Sequence, residues 1–249
     1  MHTEAAIVVN EKAENIRSPS LSGGLGRVIQ EIQVGHPKHE ELELYRAYKV
    51  GNPLDAGMAQ ILSSAIQTSR VVRILDMHCN IIGDDGATAV AAMLKKNRTL
   101  TSLNVASCGF GDIGVFQLGE ALKKNKSLKI LNIGNHSLKK EDVQFRNTMT
   151  DRGARVMADC IKENVGLKKL MMSNLPRITN DGANSLMNAV RSGHNRTLTD
   201  LYLENSTGVT AEKRDQLRQG NSKSDKFEEG SLLTASSDEP EADARLFQH

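Results

Sequence analysis

Apolar positions along the chain recur in a fixed rhythm. Residues 1, 4 and 6 of each copy are apolar: Val72/Leu75/Met77, Leu100/Leu103/Val105, Leu128/Leu131/Ile133, Leu167/Leu170/Met172 and Leu198/Leu201/Leu203. Alternation at positions 4 and 6 predicts a short strand. The first three copies start 28 residues apart, and the next two follow after 39 and 31. The segments from Val72 and Leu100 align over a full copy without a gap. An earlier, degenerate copy is expected near Leu42, with Leu42, Tyr45 and Ala47 in its first positions. The second half of each copy carries apolar residues at helical spacing. These are Ala87, Val90, Ala91 and Leu94; Val115, Leu118, Gly119 and Leu122; Ala154, Met157, Ala158 and Ile161; Ala183, Leu186, Met187 and Val190. Gly86, Gly114, Gly153 and Gly182 precede these faces and suit a tight turn with close packing on the strand layer. Asp84 or Asp85, Asp112, Asp151 and Asp181 lie where helix caps are expected, and Lys95–Lys96 and Lys123–Lys124 where cations complement helix C-termini.

Position 9 reads Asn80, Cys108, His136, and position 11 reads Ile82, Phe110, Leu138. Small polar residues at position 9 suit a buried turn, where they bond backbone groups otherwise left without partners. The whole resembles the L-x-x-L-x-L-x-x-N/C-x-L signature of leucine-rich repeats, and a 28-residue copy with a full helix resembles their ribonuclease-inhibitor-like subfamily. No single strand–helix unit can bury its own apolar face, so the copies are expected to stack. The predicted fold is α/β: a leucine-rich-repeat solenoid, or horseshoe, with a parallel inner sheet, outer helices and five to six repeats.

The expected boundaries are a flexible segment at 1–24, a repeat domain at 25–219 with caps at both ends, and a disordered acidic tail at 220–249. The N-terminal cap is read as a helix over Arg27–Val34, and the C-terminal cap as the polar helix AEKRDQLRQG. The tail sets Asp225, Glu228, Glu229, Asp238, Glu239, Glu241 and Asp243 against Lys223, Lys226 and Arg245. The copy from Leu128 is 11 residues too long, and the surplus is placed at Lys139–Thr150. The copy from Leu167 breaks the turn pattern with Leu175 at position 9 and Pro176 after it.

Composition narrows the function. Aromatic residues make up 3% of the chain and Trp is absent, which argues against stacking platforms for single-stranded nucleic acid or sugars. With 32 basic and 30 acidic side chains, the chain has no general charge bias toward nucleic acid or membrane. Cys79, Cys108 and Cys160 are too few for a disulfide framework and point to a reducing, cytoplasmic setting. The sequons at Asn97, Asn125, Asn195 and Asn205 recur because the repeat recurs.

No catalytic, metal or cofactor signature emerges. His36-Pro-Lys-His39 reads as a surface turn without metal spacing, and Cys108 as a structural thiol. His78 and Cys79 are adjacent, so their side chains diverge on a strand. Gly23-Gly24-Leu25-Gly26-Arg27 lacks the phosphate-loop pattern. The informative positions are strand residues facing away from the helices, in three rows. They are Ile74, Ser102, Ile130, Lys169 and Asp200; Asp76, Asn104, Asn132, Met171 and Tyr202; and His78, Ala106, Gly134, Ser173 and Glu204. All but Ala106, Gly134 and Ser173 are read as candidate partner contacts.

From the curved shape of such a fold, the expected function is a non-enzymatic, monomeric module that binds a protein partner on its concave face, with no cofactor, nucleic acid or membrane expected. Two resemblances suggest alternatives. The segments AAMLKKNRTLTSLNV and EALKKNKSLKILNI resemble the repeats of tropomodulin, which implies binding at actin-filament pointed ends. The repeats and acidic tail also resemble Ran GTPase-activating proteins, which implies regulation of a small GTPase.

Overall fold

The computed structural model describes residues 24–44, 54–136, 140–206, 209–210 and 212. Six strands of three residues each form one parallel sheet in sequence order. They are β1 (Glu41–Glu43), β2 (Ile74–Asp76), β3 (Ser102–Asn104), β4 (Ile130–Asn132), β5 (Lys169–Met171) and β6 (Asp200–Tyr202). Helix α1 (Gly24–Gln33) precedes the sheet. After it come α2 (Ala56–Ile66), α3 (Gly83–Lys96), α4 (Asp112–Leu122), α5 (Asp151–Glu163) and α6 (Asn180–Arg191), each linking two successive strands. One parallel strand and one crossover helix per copy is the stacking the periodicity required.

Register follows the alignment. Leu42, Leu75, Leu103, Leu131, Leu170 and Leu201 are partners across the sheet. The four from Leu75 to Leu170 are fully buried, and each such leucine contributes roughly 1.5–3 kcal/mol. All four apolar helix faces named from the sequence pack into the same core, which runs continuously from Leu25 to Val209. At the first end, Leu25, Val28, Ile29 and Ile32 of α1 cover the core. The cap helix therefore begins earlier than Arg27 and takes in Gly24–Gly26.

The degenerate first copy is shifted from its expected place. Leu42 pairs with Leu75, so it holds position 4. Position 1 is His39, buried where the other copies carry Val72 or leucine. Of the segment expected to be flexible at 1–24, Gly24 belongs to α1 and the rest lies outside the described residues, as do Tyr45, Ala47, most of the C-terminal cap and the acidic tail.

A ladder of asparagines joins the repeats at the turns that follow α3, α4, α5 and α6, and Ser69 holds the equivalent place after α2. The Asn97 amide donates to the carbonyls of Ile66 (2.7 Å) and Ser69 (3.4 Å) in the preceding repeat, and its oxygen accepts from the amides of Thr99 and Leu100. Asn125 donates to Leu94 and Asn97, Asn164 to Leu122 and Asn125, and Asn195 to Ile161 and Asn164. Each also accepts from the amides two and three residues on. These carbonyls sit at helix C-termini, which have no intrahelical partners to offer them. Three of the four sequons are thus rungs of this ladder.

A second ladder closes the turns after β2, β3 and β4. Asn80 accepts from the Leu54 amide and donates to the Leu44 and Met77 carbonyls. Cys108 follows it, its thiol donating to the Met77 carbonyl at 3.1 Å. His136, the expected third member, is exposed. Asn147, eleven residues later, takes the place: it accepts from the Cys108 and Phe110 amides and donates to Val105, Ile133 and Gly134. Met149 is fully buried where Leu138 was expected. The surplus residues therefore lie between Asn135 and Asn147, ahead of the sequence placement, and include a 3-10 helix at Lys140–Phe145.

Besides the local caps from Asp55, Thr150 and Thr179, helix caps run between repeats. Asp84 of α3 accepts from the Gly111 and Gly114 amides at the start of α4. Asp112 of α4 accepts from the Thr150 and Gly153 amides and the Thr150 hydroxyl at the start of α5. Asp151 of α5 does the same for Thr179 and Gly182 of α6. The next equivalent is Asn180, accepting from Thr210, where the sequence reading had pointed to Asp181. The glycines lie inside the first helical turn and permit close approach of the preceding helix. A Cβ on Gly114 would stand 2.8 Å from the Ala87 Cβ and 2.9 Å from the Asp84 carboxylate.

Candidate protein-binding surface

Strand residues alternate between faces, so the partners of the core leucines point away from the helices. Sheet pairing places Ile74, Ser102, Ile130, Lys169 and Asp200 in one row. The same pairings place Asp76, Asn104, Asn132, Met171 and Tyr202 in the next. The third row is carried by backbone bonds: Cys79 to Ala106, Ser107 to Gly134, Asn135 to Ser173 and Asn174 to Glu204. All twelve named candidates therefore lie on one face, in the rows read from the alignment.

They are not equivalent. Asp76, Asn104 and Asn132 each accept from the amide two residues on, that of His78, Ala106 and Gly134 respectively. These bonds turn the backbone at the strand end, as Asx turns do. Asp76 is wholly buried, with Ser102 and Asn104 nearly so. The Asp76 carboxylate also takes His78 Nδ1 at 2.7 Å and Asn104 Nδ2 at 3.2 Å. The His136 ring lies 5.0 Å from that of His78. This part of the face is a hydrogen-bonded structural cluster, and the sequence reading treated its members as contacts. The signal that separates them is Asp or Asn at position 5 of three successive copies.

At β5 and β6 the pattern changes. Position 5 becomes Met171 and Tyr202, which cannot form that turn. Lys169 Nζ stands 5.4 Å from the centre of the Tyr202 ring, a cation–π distance. Ile74, Ile130 and Met171 are partly exposed and stand outside the core packing.

Burial decides the thiols. Cys108 is held protonated by burial well above the ordinary thiol range, and burial pushes Cys160 up to about 12. Neither is a nucleophile at neutral pH. The His78 ring is turned to Asp76. Among the described residues, no group of three His, Cys, Asp or Glu side chains could hold a metal ion, and no helix is long and apolar enough to cross a membrane.

One strand and one helix per copy, stacked in register with an asparagine at each turn, define a leucine-rich-repeat solenoid. A family model described as "Leucine Rich repeat" matches residues 68–91 and 96–119, within which the two gapless copies begin. No curated protein matches the chain. Among solved structures, the chain is similar to actin-binding site 2 of leiomodin-1, at 20% identity and a TM-score of 0.53, over 81% of this chain and 94% of that one. It is also similar to the tropomodulin C-terminal domain of Caenorhabditis elegans, at 14% identity and a TM-score of 0.50, over 78% and 97%. These likenesses show a shared fold.

Proposed function

We propose that the chain is a non-enzymatic binding module that holds a protein partner on the sheet face opposite its helices. One observation carries this reading. Ile74, Ile130 and Met171 are apolar and partly exposed on that face and belong to no core. Apolar side chains on a preformed surface favour contact with another protein, because the surface is ordered before binding and little entropy is lost. The contact centres on β4 to β6, where Ile130, Lys169, Met171, Asp200 and Tyr202 are not engaged in strand-end turns. Ile74, His78 and Glu204 lie at its margins, while Asp76, Ser102, Asn104 and Asn132 support it. The setting is cytoplasmic.

Within this reading the partner is actin or an actin-associated protein. The likeness to a structure named as an actin-binding site, over most of both chains, supports it. Pointed-end elongation of pyrene-labelled actin, with the protein added at micromolar concentration, tests it. Slowed elongation is expected, and Met171→Glu is expected to restore the rate. Unchanged elongation together with no binding to monomeric actin would remove actin as the partner.

A further inference from the structure

The asparagine ladder runs along one edge of the solenoid, and that edge is basic. Lys96, Arg98, Lys124, Lys126, Lys168 and Arg196 are all exposed at helix ends or in the turns that follow. The turns are locked in register. Backbone amides of Thr101, Lys129, Lys168 and Thr199 donate to Arg73, Thr101, Lys129 and Lys168 in succession. The turns therefore stack at about the strand spacing of 4.8 Å, and cations recur at equivalent places, Lys96 with Lys124 and Arg98 with Lys126 and Arg196.

Cations at helix C-termini have an ordinary role, which is to satisfy terminal carbonyls. Here that role is already filled. The four asparagines bond two carbonyls each from the preceding repeat. Of the six cations only Arg98 is bound to a carbonyl, that of Asn97. None of the six pairs with a carboxylate among the described residues. The pairs on this edge instead use Lys123 with Glu120 and Glu163, and Lys162 with Asp159.

We propose that this edge is a second interaction surface, separate from the sheet face, for an acidic segment of a polypeptide. Two features favour a polypeptide over other polyanions. Glu163, paired with Lys123 at 3.3 Å, interrupts the row of free cations, and a polypeptide can set its carboxylates to either side of that break. None of the six charged positions is accompanied by an aromatic residue in its turn, so nucleobases find no stacking platform. Lysine predominates, and its flexible ammonium suits carboxylates at variable positions.

Fluorescein-labelled poly-L-glutamate, titrated by anisotropy in about 100 mM salt, tests the proposal. Saturable binding is expected, weakening as salt rises. The combined Lys96→Glu, Lys124→Glu and Lys168→Glu variant is expected to bind about tenfold or more weakly. A control with Arg152→Glu, Arg155→Glu and Arg177→Glu changes net charge equally at the opposite edge and should shift affinity less than about threefold. Circular dichroism checks that each variant is folded, and Lys→Gln versions repeat the comparison without added carboxylates. Equal loss in both variants would overturn the proposal. So would a failure to bind poly-L-glutamate, or preferential binding to phosphatidylserine vesicles or duplex DNA.

Discussion

A single buried asparagine per turn does more for this molecule than any ion pair on its surface. Asn125 is fully buried and satisfies two carbonyls and two amides across two repeats. Asn125→Ala leaves the Leu94 carbonyl and the Ser127 and Leu128 amides without partners, while the Asn97 carbonyl keeps its bond from Arg98, and each buried orphan costs about 1–3 kcal/mol. Urea unfolding is expected to show a loss of about 3 kcal/mol or more. The exposed helix residue Asn188, changed to Ala, should shift stability by less than about 0.5 kcal/mol. In sequence these asparagines look like glycosylation sites, because the signature N-x-S/T records the turn's small residues and not the carbonyls above it. Asn164, in the same role but followed by Val165 and Gly166, shows that the ladder is the underlying constraint.

His39 gives a residue-scale prediction about pH. It holds a leucine position, and burial lowers its pKa below the usual histidine value against the opposing pull of Glu31, 2.7 Å away. The unfolded chain therefore takes up the proton more readily. Stability from this site is full above about pH 6.5 and declines as pH falls below it. Comparing urea midpoints of wild type and His39→Gln from pH 7.5 to 5.5 should show the wild type losing more. Glu31 adds a separate loss at lower pH, since hydrogen bonding from Lys38 holds its pKa at about 2. That contribution is present above about pH 4.5 and fades as pH falls towards 2.

At the scale of elements, helices are stabilised by their predecessors. Asp112 lies in α4 but its carboxylate serves the start of α5. Asp112→Ala is expected to cost about 1–2 kcal/mol. Hydrogen exchange should quicken at the Thr150 and Gly153 amides, with α4's own first turn little changed. Gly114→Ala is expected to cost about 1–3 kcal/mol, because the added methyl meets Ala87 and Asp84. Local reasoning placed aspartates at helix starts correctly but assigned each to its own helix. A cap between repeats leaves the same trace in sequence as one within a repeat.

The long repeat shows the same boundary between what is and is not legible. Counting residues revealed the surplus, and the helix end fixed the frame from behind. Counting alone puts it too far along the chain, because His136 occupies the ninth place by count. The N-x-M of Asn147 and Met149 restates the turn pattern eleven residues on, and is the signal that locates the insertion. Strand register, by contrast, was readable throughout the regular copies, since a gapless alignment leaves stacked strands only one pairing. The proposed contact face is legible in the sequence as rows. Which members are structural depended on side chains bonding their own backbone, and rows alone do not distinguish that.

For the molecule as a whole, the account joins an ordered core, two structural ladders and one sheet face whose apolar residues serve no core. Met171 lies on that face next to Tyr202, and Asn188 lies exposed on α6. The most direct test places the photo-crosslinking amino acid p-benzoylphenylalanine at 171 or at 188 and illuminates the protein with its bound partner. The account predicts a covalent adduct from position 171 and little from 188. Adducts from 188 with none from 171 would contradict it.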